Sequence, residues 1–170
     1  GPYIASSHTD ATCFDATDGN LSVSNPNCCA WNLTVYRNAV LILSDSIFQQ
    51  DTTIANLPEG TYTVLSYINS IPVDSVELII SSEPQIIADF TLDNYTPTTA
   101  DYVNFTDNST VLTPVSYYWT FGDGNIDTQP NTSHRYSLPG AYEIVLTLTS
   151  ASGCQATVFD SVWVTADAHY

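Results

Sequence analysis

The sequence predicts an all-β protein in which two β-sandwiches follow one another, and three observations support this fold class. Residues that favour strands (Thr, Val, Ile and Tyr) are abundant, and no long segment repeats apolar residues at helical spacing. A Gly-x-Tyr pattern followed by aliphatic residues begins at Gly60 and again at Gly140, an offset of 80 residues. Trp119 and Phe121 share one face of a strand, and glycines directly afterwards permit a tight turn. Because that offset suits one immunoglobulin-like sandwich, we expect two tandem immunoglobulin-like β-sandwiches.

The domain boundaries follow from chain length and linker composition. With 170 residues, 44% of them hydrophobic, the chain can form two small domains. A short polar segment ending in Pro84 separates them and restricts hinge motion. We therefore assign residues 1–84 to the first sandwich, with 1–12 as a leader or tag remnant, residues 85–165 to the second sandwich, and 166–170 to a tail.

In the first sandwich, a strand is predicted at residues 21–23 and a clearer one at 30–36, where Trp31, Leu33 and Val35 lie on one face. Arg37 and Asn38 turn the chain into a hairpin partner at residues 39–44. Further strands are predicted at residues 53–55, 61–69 and 75–81. Tyr62 follows a corner at residues 56–60, and its hydroxyl is expected to bond back to the main chain there.

In the second sandwich, strands are predicted at residues 87–92, 102–106, 115–121, 142–149 and 157–164. On the third of these, alternation places Trp119 and Phe121 in the core and leaves Tyr118 facing outward. On the last strand, Trp163 faces outward. Tyr142 repeats the position of Tyr62 and is predicted to close a second corner.

The second domain resembles the PKD domain over about residues 86–165. The resemblance rests on Tyr-Trp-Thr-Phe-Gly-Asp-Gly ending at Gly124, on His-Arg-Tyr ending at Tyr136, and on Pro-Gly-Ala-Tyr ending at Tyr142. It implies an immunoglobulin-like sandwich from the extracellular part of a surface protein or secreted enzyme. It also implies that His134 belongs to a structural corner. The residues expected to carry the fold are Tyr62, Trp119, Phe121, Gly122, Asp123, Gly124, His134, Tyr136 and Tyr142.

The first domain resembles the SprB-type adhesin repeat of gliding bacteria. The shared features are Cys13 ahead of Asp18-Gly19, the first strand, and the segment at residues 54–62. Two departures are a missing Gly-Cys near Ser70-Ile71-Pro72 and an additional Cys28-Cys29 pair. Because of these departures, the cysteine pairing of that family is not carried over.

The four cysteines, Cys13, Cys28, Cys29 and Cys154, show neither a Cys-x-x-Cys pair nor the spacing of a zinc site. Disulfides are expected, and three complete pairings exist. A bond between the adjacent Cys28 and Cys29 is disfavoured by geometry. The hypothesis is that one of these two pairs with Cys13 and the other with Cys154.

The charge balance excludes several partners. Eighteen acidic residues oppose only Arg37 and Arg135, giving a net charge of −16. Nucleic acid and anionic membranes need clustered cations, which the sequence lacks, and no apolar run is long enough to cross a bilayer. A saline or calcium-containing extracellular environment would screen the self-repulsion.

No motif for catalysis is present, so we expect no enzyme activity and no catalytic residues. The three histidines, His8, His134 and His169, are isolated. Some PKD domains bind calcium, but the corresponding region reads Asp107-Asn108-Ser109-Thr110 and Ser150 stands where a late acid is expected. We therefore predict no metal site and no cofactor, although weak calcium binding stays open.

The leading functional hypothesis is a non-catalytic adhesion or spacer module of a large secreted or cell-surface protein. Its partners would be other domains of that protein and a surface glycan or protein ligand. One alternative is a carbohydrate-binding accessory module of a polysaccharide-degrading enzyme, with Trp163 and Tyr118 as the platform. Another is a filament or shell component. For Trp163, packing against an edge or a neighbouring unit is the competing interpretation.

Modification signals agree with an extracellular location. Six asparagines begin N-glycosylation sequons, and four segments resemble the Asp-Ser/Thr-aliphatic O-glycosylation motif of gliding-type bacteria. The four segments are Asp45-Ser46-Ile47, Asp51-Thr52-Thr53, Asp74-Ser75-Val76 and Asp160-Ser161-Val162.

Overall fold

The computed structural model describes residues 4–26, 30–47 and 49–168, and these form strands connected by turns, with no helix among them. The chain divides into two compact units, Gly1–Glu83 and Pro84–Tyr170. In the described ranges, no helix is long and apolar enough to cross a membrane. The fold class is therefore all-β, with a sandwich in each unit.

The described residues of the first unit form seven strands: β1 (Ala5–Thr9), β2 (Gly19–Ser24), β3 (Trp31–Arg37), β4 (Val40–Ile47), β5 (Asp51–Leu57), β6 (Gly60–Ile68) and β7 (Ile71–Ile80). They pair antiparallel into a three-stranded sheet, β1-β2-β5, and a four-stranded sheet, β4-β3-β6-β7. One core joins the two sheets, with Leu21 and Val23 from the first and Trp31, Leu33 and Val35 from the second. The predicted inward face of β3 is therefore confirmed.

Two local features of the first unit differ from the sequence-based expectation. The segment assigned to a leader contains β1, which pairs with β2 through main-chain contacts that its polar side chains do not reveal. The hairpin between β3 and β4 turns at Asn38 and Ala39, whose φ angles are +48° and +65°, one residue later than predicted. Two consecutive residues of positive φ match the twist of a hairpin.

Up to residue 168, the second unit contains seven further strands: β8 (Phe90–Leu92), β9 (Val103–Asp107), β10 (Val115–Thr120), β11 (Ile126–Asp127), β12 (Thr132–His134), β13 (Gly140–Ser150) and β14 (Gln155–Val164). They form a three-stranded sheet, β12-β9-β8, and a four-stranded sheet, β11-β10-β13-β14. The core contains Phe90 and Phe105 from one sheet and Trp119, Ile144 and Leu146 from the other.

Strand boundaries in the second unit are close to those predicted, with two exceptions. The strand expected from residue 87 begins at Phe90, because Ile87 only forms an isolated bridge with Thr110. The short strands β11 and β12 were not predicted, since two or three residues carry too little alternation to recognise.

Candidate functional site

Trp119 anchors the core of the second unit. Its side chain is fully buried, and its indole N–H donates a hydrogen bond to the Gln129 carbonyl oxygen at 2.8 Å. Phe90 and Phe105 pack on its ring, with centroids 5.1 and 5.8 Å away. Trp31 makes the equivalent contact in the first unit, where its N–H donates to the Gln49 carbonyl oxygen at 3.0 Å. Both tryptophan side chains are therefore buried, and each is hydrogen-bonded to a main-chain carbonyl group.

The turn after β10 depends on two glycines and one carboxylate. Gly122 and Gly124 have φ angles of +79° and +92°, which L side chains rarely adopt. Asp123 does not share this backbone conformation, and it acts through its side chain instead. Its two carboxylate oxygens accept hydrogen bonds from the main-chain and side-chain N–H groups of Asn125, at 3.1 and 3.0 Å.

The carboxylate of Asp123 also holds His134. The distance from His134 Nε2 to Asp123 Oδ2 is 2.7 Å, and the two side chains are only 14% and 15% exposed. The imidazole lies flat on Phe121, with centroids 4.3 Å apart, and meets the edge of Tyr136 at 4.7 Å. This contact joins the turn after β10 to β12 in the opposite sheet, so we call it the Asp123–His134 clamp.

The electrostatics of the clamp favour an ionised Asp123. Burial alone would raise the pKa of this carboxyl group, but hydrogen bonds from His134 and Asn125 outweigh it and hold the pKa below its usual value. A paired and mostly buried imidazole has little room to meet a substrate. The arrangement agrees with the structural role that the resemblance implies for His134.

Tyr136 is buried beside the clamp. Its ring stacks on Tyr142, with centroids 4.3 Å apart, and its side chain is 1% exposed. No described protein group hydrogen-bonds to its hydroxyl. Burial, followed by the nearby Asp123 and Tyr142, raises the pKa of Tyr136 well above its ordinary value. The sequence pattern gave no signal of this unsatisfied hydroxyl.

Tyr62 and Tyr142 both close the corners predicted for them. The Tyr62 hydroxyl donates to the Pro58 carbonyl oxygen at 2.6 Å, and the Tyr142 hydroxyl donates to the Leu138 carbonyl oxygen at 3.0 Å. In each case the acceptor lies four residues earlier in the chain. The same short-range contact thus occurs once in each unit.

Cys13 and Cys154 are both disulfide-bonded. Cys28 and Cys29 lie outside the described residues, as does His169. The presence of disulfide bonding is therefore confirmed, whereas the pairing of all four cysteines stays a prediction.

In the segment at residues 107–110, which was compared with the calcium-binding loops of PKD domains, the Asp107 carboxylate is hydrogen-bonded to nearby protein groups. Asp107 accepts hydrogen bonds from the Ser109 main chain at 3.0 Å and from the Tyr117 hydroxyl at 2.9 Å. Ser150, at the position of the expected late acid, lies 2.9 Å from the Ser152 hydroxyl, oxygen to oxygen. Among the described side chains, no group of three or more His, Cys, Asp or Glu residues is arranged to hold a metal ion.

Tyr118 and Trp163 lie on the outward face of the β11-β10-β13-β14 sheet, with exposed fractions of 47% and 61%. Two large apolar side chains that the sequence analysis did not select share this face, namely Phe159, 72% exposed, and Ile126, 56% exposed. Alternation along β14 places Phe159 on the same side as Trp163, so this signal was present in the sequence and was not used. Ile126 lies on β11, which was not predicted, and joins the face because it pairs with Thr120.

The fold and these contacts define a tandem of immunoglobulin-like β-sandwiches. Residues 83–164 match the family model described as the PKD domain, which confirms the resemblance predicted for the second unit. The resemblance of the first unit to an adhesin repeat stays a prediction.

Known proteins give three further similarities. A microbial collagenase from Vibrio alginolyticus is 38% identical over 52 residues, which are 31% of this chain and only 6% of the collagenase. The PKD1 domain of Vibrio anguillarum Epp is 25% identical, covering 50% of this chain and 99% of that domain, with a TM-score of 0.43. The titin I-band fragment I67–I69 is 11% identical, covering 96% of this chain and 65% of the fragment, with a TM-score of 0.56. The titin similarity concerns the fold alone.

Proposed function

We propose that this chain is a non-catalytic accessory segment of a larger extracellular protein, in which two rigid sandwiches serve as an adhesion or spacer module. The observation that carries the proposal is the Asp123–His134 clamp within a segment that matches the PKD model. Asp123 and His134 are residue types that often act in catalysis, but here their side chains bond to each other and connect the turn after β10 to β12. The related microbial collagenase is a much longer protein, of which the match covers 6%, so its activity is not assigned to this chain.

Two properties support an extracellular location. Cys13 and Cys154 are disulfide-bonded, and disulfides persist mainly in oxidising compartments. With a net charge of −16, repulsion among the acidic side chains destabilises the folded chain at low ionic strength, and salt or divalent cations screen that repulsion. The same self-repulsion disfavours the alternative of a self-assembling filament or shell.

O-glycosylation is part of this proposal, and the edge strands support it. Ser46 and Ser75 lie exposed on β4 and β7, each at an edge of its sheet. The main-chain N–H of each serine donates to the carboxylate of the preceding aspartate, at 2.7 Å for Ser46 and 2.8 Å for Ser75. An edge strand leaves one side open to an enzyme, and a glycan there would block edge-to-edge pairing.

Intact-mass measurement on protein isolated from its native organism tests this modification. We expect mass additions that disappear stepwise when Ser46 and Ser75 are replaced by alanine. A matched control is Ser116→Ala, because Ser116 is an exposed strand serine without a preceding aspartate. A native protein of unmodified mass would show that these serines are not used.

Antibodies against the purified chain test the proposed location and role. They should label intact cells of the producing organism, and deleting this segment from the parent protein should reduce attachment. Replacing the segment with an unrelated tandem of two sandwiches should restore attachment if it acts as a spacer. Labelling only after permeabilisation, or unchanged attachment after deletion, would contradict the proposal.

A further inference from the structure

We propose that the outward face of the β11-β10-β13-β14 sheet binds an uncharged polysaccharide, which deepens the proposed accessory function by naming a ligand class. The face is defined by pairs of residues opposite one another in register. These pairs are Ala141 with Trp163, Glu143 with Ser161, Val145 with Phe159, Thr147 with Thr157, Thr149 with Gln155, Tyr118 with Thr147, Ser116 with Thr149, and Thr120 with both Val145 and Ile126. We call this surface the aromatic face.

Three exposed aromatic rings stand on the aromatic face. Trp163 and Phe159 are four residues apart on β14, a separation of about 13 Å at the usual strand rise. Tyr118 stands two strands away on β10, about 10 Å across the sheet. Scattered exposed apolar residues are ordinary, but several large ones on one face of one sheet indicate a binding surface.

The charge on the aromatic face selects the kind of ligand. The chain carries 18 acidic residues, yet Glu143 is the one charged residue among the outward positions of these described strands. A cationic partner would be expected to meet acidic side chains, which are placed elsewhere. An anionic partner would be repelled by the net charge of −16. The surface therefore suits an uncharged ligand.

The side chains between the rings suit a ligand rich in hydroxyl groups. The Thr147 and Thr157 hydroxyls lie 3.3 Å apart, and the Gln155 amide donates to the Thr149 hydroxyl at 3.3 Å. Hydroxyl and amide groups can both donate and accept hydrogen bonds. Sugar rings present apolar C–H faces, which can pack on aromatic rings, and hydroxyl edges, which can bond to threonine and glutamine. A polysaccharide chain meets both requirements over a flat sheet.

A second copy of this chain fits the aromatic face less well. Two copies would each carry a charge of −16, and no lysine and only two arginines are available to offset it. Repulsion between them acts over about 8 Å even at physiological salt. The uncharged polysaccharide is therefore the occupant that the observations favour.

Sedimentation of the purified chain with insoluble cellulose, chitin and starch at physiological ionic strength tests this inference. The parent should bind at least one of the three, and Trp163→Ala and Phe159→Ala should each weaken binding roughly fivefold or more, as loss of a stacking ring does. Tyr102→Ala is a matched control, because Tyr102 is 62% exposed but lies outside this face. Thermal melts should show that all three variants fold.

Three outcomes would overturn the inference. The first is that the parent binds none of the three polysaccharides. The second is that the double variant Trp163→Ala/Phe159→Ala binds as tightly as the parent. The third is that Tyr102→Ala weakens binding as much as Trp163→Ala does. Sedimentation equilibrium showing a dimer that Trp163→Ala dissociates would assign the face to self-association instead. Surface labelling of intact cells is independent of these results, so failure here leaves the proposed spacer role standing.

Discussion

Gly122 and Gly124 have similar φ angles, +79° and +92°, but different surroundings. A Cβ on Gly122 would lie 2.8 Å from the Glu143 carbonyl oxygen, whereas a Cβ on Gly124 would meet nothing within 4 Å. Both alanine variants incur the cost of a left-handed backbone, about 1 to 2 kcal/mol. Only Gly122→Ala must also displace the main chain of β13.

We therefore expect Gly122→Ala to lower the free energy of unfolding by about 3 kcal/mol or more, and Gly124→Ala by about 1 to 2 kcal/mol. Urea unfolding of the two variants, followed by tryptophan fluorescence, measures the difference. Equal losses would show that the close approach to Glu143 does not constrain this turn.

The two stacked tyrosines should respond oppositely to loss of their hydroxyls. Tyr142→Phe removes the corner hydrogen bond to Leu138 and should destabilise the second unit by about 1 kcal/mol. Tyr136→Phe removes a buried hydroxyl that bonds to no described protein group, so stability should be unchanged or raised by up to about 1 kcal/mol. Thermal melts of both variants test this, and a large loss in Tyr136→Phe would contradict the burial environment described for it.

At the scale of elements, the Asp123–His134 clamp ties the turn after β10 to β12. The pKa of Asp123 is lowered in the folded state, so its stabilisation is present above the ordinary aspartate pKa of about 3.9. That stabilisation is lost as pH falls through the lower folded value. Ionisation of Asp123 thus contributes to stability near neutral pH and not in strong acid.

Asp123→Asn should therefore be less stable than the parent by about 1 to 2 kcal/mol at pH 6, and the difference should shrink towards pH 2. Urea unfolding of both proteins across this pH range provides the comparison. Asp89→Asn is the control, because Asp89 uses no side-chain hydrogen bond among those described and should show no such trend. A constant difference for Asp123→Asn would show that its ionisation does not couple to folding.

The strands whose core face was predicted from the sequence are those with a strong alternation of burial. In β3 and β10, apolar side chains recur at every second residue, so the core face was evident before the structure. β1 is polar and joins its sheet by main-chain pairing, which leaves no side-chain pattern to read. The aromatic face was only half predicted. Phe159 could have been read from its even spacing to Trp163 on β14, whereas Ile126 joins the face only through the pairing of the unpredicted β11 with β10.

Across the whole molecule, the described residues form two separate hydrophobic cores. One core contains Trp31 and Tyr62, and the other contains Trp119 and Tyr142 packed at its edge. Each tryptophan donates its indole N–H to a main-chain carbonyl, and each tyrosine closes a corner. Each unit therefore has its own hydrophobic core, its own hydrogen-bonded tryptophan and its own tyrosine corner, as expected for two separate domains.

Differential scanning calorimetry of the intact, disulfide-bonded chain tests this modular organisation most directly. Trp31→Ala and Trp119→Ala should each destabilise one unit by about 3 to 5 kcal/mol. Each should lower one of two unfolding transitions by more than about 10 °C and leave the other within a few degrees of the parent. A single transition that both variants lower equally would contradict two independently folding sandwiches.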